Sequence, residues 1–79
     1  MLETKVIVRT NKGREYYGRL NNIDRPTSTV ILDWCVNLRG YCFGAYESLK
    51  IPQMVIFDVC EISQCDEHMI TCIENGIQE

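Results

Sequence analysis

The sequence predicts an all-β domain: a small, strongly bent, antiparallel five-stranded sheet rolled into a partly open barrel. Three observations predict it. Short stretches alternate apolar and polar residues, or are wholly apolar, at the close spacing of small β barrels. Turn-forming residues separate them, at Asn11-Lys12-Gly13-Arg14 and from Asp24 to Ser28. Gly18 falls inside the second stretch, where a glycine marks a bulge or a sharp barrel corner.

Strand one is expected over Glu3 to Thr10, with Val6 and Val8 on one face and Lys5, Ile7 and Arg9 on the other. Gly13 can take the positive φ that a tight hairpin requires. Strand two, Glu15 to Ile23, alternates Tyr16, Gly18 and Leu20 against Tyr17, Arg19 and Asn21. Pro26 fixes φ in the following turn and removes an amide donor. Strand three, Thr29 to Asn37, sets Val30, Leu32, Trp34 and Val36 on one face and Thr29, Ile31, Asp33 and Cys35 on the other. Leu32 and Trp34 are therefore expected in the core. Leu38 to Pro52 is a long polar connection with Gly40 and Gly44, which also admits a distorted continuation of strand three and a return. Met54 to Val59 is the fourth strand. Glu61 to Cys65 fits a fifth after a tight turn at Cys60. Cys65, Met69, Cys72 and Ile73 then recur at helical spacing, which leaves a short amphipathic helix or a tail, ended by Asn75-Gly76.

A chain of 79 residues holds one domain whose core is marginal without help, and a partner subunit is one form of help. With 46% hydrophobic and 24% charged residues it is globular rather than disordered. The net charge of −3 opposes a large phosphate-binding footprint, and Lys12, Arg14, Arg19 and Arg25 form the one candidate basic patch. No stretch approaches the length needed to span a bilayer, so no membrane role is expected. Nothing after Met1 reads as a secretory signal, so the five cysteines are expected as reduced thiols in a cytoplasmic or nuclear protein.

Asp24 lies six residues after Gly18, and Leu32 eight after Asp24; before them stand Val6-x-Val8 and Gly13-Arg14-x-Tyr16. This pattern resembles the first motif of Sm-like (LSm) domains, over roughly residues 4 to 65. The run from Ile23 to Leu32, Ile-Asp-Arg-Pro-Thr-Ser-Thr-Val-Ile-Leu, is similar to the divergent branches: the Trailer-hitch and enhancer-of-decapping proteins, and the Sm-like Gemin proteins, Gemin six and Gemin seven, of the SMN complex. Met54 to Ile62 stands where the second motif would lie. The resemblance implies an Sm-like domain over 1–65 with a C-terminal extension over 66–79; typical Sm domains open with a helix before strand one, and no N-terminal helix is expected here. It gives Gly18, Leu20, Asp24 and Leu32 structural roles, Asp24 capping its own turn through its carboxylate. Typical Sm domains carry Arg-Gly where this chain has Asp58-Val59, and an Asn where it has Pro26-Thr27-Ser28. Losing a cation and gaining an anion opposes phosphate contact, so little direct RNA binding is expected.

An open Sm-like sheet leaves its outer strands with unpaired backbone groups, and Sm-like proteins pair through them. Met54, Val55, Ile56 and Phe57 are apolar and uncharged, which suits strand addition by a partner. The expected partner is another Sm-like protein or a peptide of a ribonucleoprotein factor, in a homo- or heterodimer ahead of a ring. Substitutions at Lys12, Arg14 and Arg19 are expected to spare that association. The implied function is a non-catalytic interaction subunit in ribonucleoprotein assembly; a module of an mRNA decapping or translation-repression factor is the alternative. Catalysis is not expected, because the chain has a single His, no glycine-rich phosphate loop and no recognisable nucleophile setting. No cofactor is implied. Cys60, Cys65, His68 and Cys72 could supply four soft ligands to zinc, but their order matches no common zinc module, and a packed terminal element is the expectation.

Overall fold

The computed structural model describes residues 4–38 and 50–76. Five antiparallel strands form one sheet: β1 (Lys5–Thr10), β2 (Glu15–Asp24), β3 (Thr29–Asn37), β4 (Ile51–Ile56) and β5 (Val59–Gln64), followed by helix α1 (Glu67–Gly76). The sheet order is β4-β3-β2-β1-β5, so β4 and β5 are its two edges.

The alternation in β1 does what its pattern requires. Val6 and Val8 are fully buried in a core with Leu20, Val30, Leu32, Cys35 and Ile56. Each such aliphatic side chain contributes about 1.5–3 kcal/mol by leaving water. Gly13 sits in the β1–β2 turn at φ 78, as the hairpin requires.

The bend is built from two bulges between β2 and β3. Tyr17 pairs with Val36 but Arg19 pairs with Asp33, which leaves an extra residue on β3 opposite Gly18. Trp34 occupies that bulge at φ 51. A Cβ on Gly18 would lie 3.0 Å from the Asp33 carbonyl oxygen, 3.2 Å from Leu32 Cβ and 3.3 Å from the Cys35 Cα, so the approach of the two strands needs glycine. A second shift, between Leu20 and Asn22, puts an extra residue on β2.

The bulge also overturns the expected faces of strand three. Trp34 is not in the core but 48% exposed, Cys35 enters the core with Leu32, and Val36 turns to the opposite face. An extra residue reverses the strand's period of two, and every side chain beyond it changes sides.

Strand four begins three residues earlier than expected and ends at Ile56, with Pro52 inside it. The turn to β5 is at Phe57-Asp58 rather than Cys60, with Asp58 at φ 57. Between the two ends of the long connection expected before Met54, residues 39–49 lie outside the described residues.

A second cluster fills the opposite face: Tyr17, Val36, Leu38, Cys65 and Ile73, with Ile7, Met69 and Ile70 packed against it. Helix α1 covers this face. The Asp66 carboxylate caps it, accepting from the Met69 amide at 2.8 Å.

Candidate protein-interaction edge

Strand β4 is held from one side only. Its ladder to β3 pairs Ile56 with Val30, Val55 with Ile31, Met54 with Leu32, Gln53 with Asp33 and Ile51 with Cys35. Ile56 and Met54 reach down to the core, and the Cys35 thiol donates to the Met54 sulfur at 3.8 Å. Burial pushes the Cys35 thiol up to about 12, so it stays protonated and acts as an apolar filler. The other side chains of the strand face water: Ile51 is 39% exposed, Val55 45%, and Phe57 just beyond it 65%. Pro52 has no N–H and is tolerated in a strand where that missing donor faces away from the neighbour. The register fixes the other amides: Leu38 donates to the Glu15 carbonyl and Leu20 to the Thr4 carbonyl, so Arg19 and Asp33 direct their backbone groups at each other, and on β4 Met54 and Ile56 direct theirs to β3 while Gln53 and Val55 direct theirs to the open side.

The four residues expected at the partner edge thus divide. Val55 and Phe57 are exposed, Met54 is half-buried, and Ile56 anchors the strand from below. The basic run divides as well. Lys12 and Arg14, from the β1–β2 turn, line a hollow of about 240 Å³ together with Met54, Val55, Ile56, Phe57, Tyr16, Thr10 and Asp58. The expectation that substitutions there spare the β4 edge placed them at the far end of the sheet; instead the sheet curls until the β1–β2 turn meets the β4–β5 turn. The Asn11 amide donates to the Asp58 carbonyl at 2.9 Å and joins the two turns. Arg19 instead pairs with Asp33 at 3.4 Å. Arg25 lines a separate hollow with Asp24, Ser28, Thr29 and the start of β5.

Asp33 ties three strands on the outer face. Its carboxylate accepts from Asn21 at 3.0 and 3.2 Å, from Arg19, and from Gln53 of β4 at 3.3 Å. The Asn21 hydrogen bond, with those of Gln53 and Arg19, holds the carboxyl below its ordinary range. Sequence reading missed this tie, although the paired positions of Arg19, Asp33 and Gln53 follow once the register is known.

Gly18, Leu20 and Leu32 are buried. Asp24 is exposed at the end of β2, and its turn is not capped by its carboxylate: its carbonyl oxygen accepts from the Thr27 hydroxyl at 3.5 Å. The Ser28 carbonyl then accepts from the Val59 amide at 2.9 Å and draws the bent hairpin onto β5.

The β5 side carries different chemistry. Arg9 and Glu61 form an ion pair at 2.9 Å across β1 and β5. The helix after β5 is fastened by the buried Tyr17, whose hydroxyl donates to Glu74 at 2.7 Å, while Lys50 reaches the other Glu74 oxygen at 2.8 Å. Burial, then the Glu74 hydrogen bond and charge, push the Tyr17 hydroxyl well above its ordinary 10.0. Burial alone would raise Glu74, but hydrogen bonds from Lys50 and Tyr17 and the charges of Lys50 and Lys5 outweigh it and leave the carboxyl low. Of the zinc candidates, His68 and Cys72 lie 3.7 Å apart on one face of α1, whereas Cys65 is buried beneath the helix and Cys60 is exposed on β5. Among the described residues no three metal-ligating side chains converge.

No protein-family model and no curated protein matches the chain. Solved structures do. A heptameric archaeal Sm protein is 21% identical with a TM-score of 0.65, over 82% of this chain and 90% of its own. The Pyrococcus abyssii Sm protein, in complex with a uridine heptamer, is 27% identical with a TM-score of 0.63, over 81% and 86%. The P. aerophilum SmAP1 heptamer is 21% identical with a TM-score of 0.65, over 82% of each chain. The bent sheet ordered β4-β3-β2-β1-β5, with glycine opposite a bulge, has the Sm-like fold.

Proposed function

We propose that the chain is a non-catalytic interaction subunit that pairs through the β4 edge with another Sm-like chain, in the cytoplasm or nucleus, during ribonucleoprotein assembly of the Gemin kind. The observation that carries this reading is the exposure of Val55 and Phe57 along an edge whose open side has no strand among the described residues. Strand addition satisfies the outward amides of Gln53 and Val55 and covers that apolar flank. A decapping or translation-repression module would use the same edge to hold a peptide. The competing outcome is a ring that contacts RNA: two of the similar Sm structures are heptamers and a third binds a uridine heptamer. A head-to-tail contact between two different edges closes into a ring, whereas β4 against β4 makes a dimer. Asp58 and the missing turn Asn support the dimer, since they remove groups that would meet phosphate or base.

Light scattering on the tagged full chain, purified with whatever it carries from a eukaryotic cell, tests this. Wild type is expected as a two-chain complex, and Val55→Lys as a monomer with unchanged circular dichroism. A complex of unchanged mass from Val55→Lys would refute the edge. A six- or seven-chain particle that binds oligo-uridine below micromolar concentration would favour the ring.

A further inference from the structure

The hollow beside β4 narrows the chemistry of the partner, given the edge pairing proposed above. Three described cations already have an acid: Arg9 has Glu61, Arg19 has Asp33 and Lys50 has Glu74. The side chains of Lys12 and Arg14 have no ion-pair or hydrogen-bond partner among the described residues. Both stand on the wall of the hollow whose other wall is Met54, Val55, Ile56 and Phe57. Asp58 supplies one carboxylate against these two cations, so the hollow keeps a positive balance beside the apolar side chains of β4. This balance is local, because the chain as a whole carries −3.

We infer that the strand received by β4 carries an acidic side chain that lies between Lys12 and Arg14, flanked by apolar residues that cover Met54 and Phe57. A strand added to β4 runs along Met54 to Ile56 and passes the β1–β2 turn at a fixed distance. One side chain in each two faces the hollow. An apolar side chain there would leave two cations against hydrocarbon, and a basic one would meet like charge. An Asp or Glu meets both cations and fixes the register of the added strand. The exposed apolar side chains of Val55 and Phe57 and the open backbone edge favour a peptide strand over a phosphate chain, which has no use for either.

A display library of short random peptides, panned on the full chain and on the K12E/R14E variant, tests this. Both positions are exposed in a turn, so the double variant is expected to melt with wild type. Peptides enriched on wild type should carry Asp or Glu among alternating apolar residues. They should bind K12E/R14E about tenfold more weakly, by less at high salt, and K12E/R14E should enrich Lys or Arg instead. They should also fail to bind Val55→Lys. Peptides with no charge preference, equal on wild type and K12E/R14E yet lost on Val55→Lys, would overturn the acidic partner and leave the edge standing. Acidic peptides that bind Val55→Lys undiminished would overturn the inference by removing the edge on which it rests. No enriched peptide would overturn it too, as would oligo-uridine held by wild type and lost by K12E/R14E, which would assign the cations to phosphate.

Discussion

The two edges of this sheet hold equivalent places and are finished in opposite ways. On β5 the outward residues are Cys60, Glu61, Ser63 and Gln64, Glu61 is paired to Arg9, and the chain runs straight into a helix fastened by Tyr17 and Glu74. On β4 the outward residues include Ile51, Val55 and Phe57, and no described charge lies on the strand itself. Charge and coverage are the means by which proteins keep strand edges from pairing. This chain applies them to one edge and omits them from the other. The difference sets a polar, charged β5 edge against an apolar β4 edge, which favours β4 for the proposed pairing.

The comparison is sharpened most by Leu32→Ala. Leu32 is fully buried on β3 and paired with Met54, so the change leaves a cavity under β4 and should cost about 2–5 kcal/mol in thermal or urea denaturation. An edge strand that owed its place only to a partner would not depend on it. Tyr17→Phe comes next and bears on the helix-covered face. It removes the hydroxyl that fastens α1 to a charged acceptor and should cost about 1–3 kcal/mol.

The pH dependence follows from the same contact. The raised Tyr17 hydroxyl favours its protonated form in the fold, so its contribution is complete below its ordinary pKa of 10.0 and falls as the pH rises beyond that. Glu74, held low, contributes above its ordinary 4.5 and loses that contribution as the pH falls below it. Melting temperature measured across the alkaline range should fall less steeply in Tyr17→Phe than in wild type.

Smaller effects are expected where side chains face water. Trp34→Ala should cost less than about 1 kcal/mol, because half the side chain is exposed and the residue sits in a backbone region that few bulky residues favour. A loss as large as that of Leu32→Ala would return Trp34 to the core. Smallest of all is Arg9→Ala, which removes an exposed ion pair on β5 and should change stability by no more than about 1 kcal/mol, with association untouched. A broken complex would show that β5 too is a partner edge.

The sequence showed β1 to β3 because their signals are local. Val6 and Val8 alternate, Gly13 turns the hairpin, and Gly18 announces the bend. It showed β4 with the wrong limits because Met54 to Val59 is one apolar run, and the turn inside it uses Asp58 at positive φ with no glycine to mark it. The face of Trp34 was hidden because the extra residue lies on β3, while its sign, Gly18, lies on β2. The fastening of Tyr17 to Glu74 joins positions 57 residues apart and leaves no periodic trace. Of the candidate edge, the apolar stretch was legible, but the cations beside it were not, because only the curl of the sheet brings the β1–β2 turn to β4.

The central claim is that β4, and not the helix-covered side, meets the partner. A photoreactive phenylalanine analogue placed at Val55, or in a second chain at Thr71 on the exposed side of α1, reads it directly in the intact cell. The account predicts a cross-linked product of defined mass from position 55 and none from position 71. A product from position 71 with none from position 55 would contradict it.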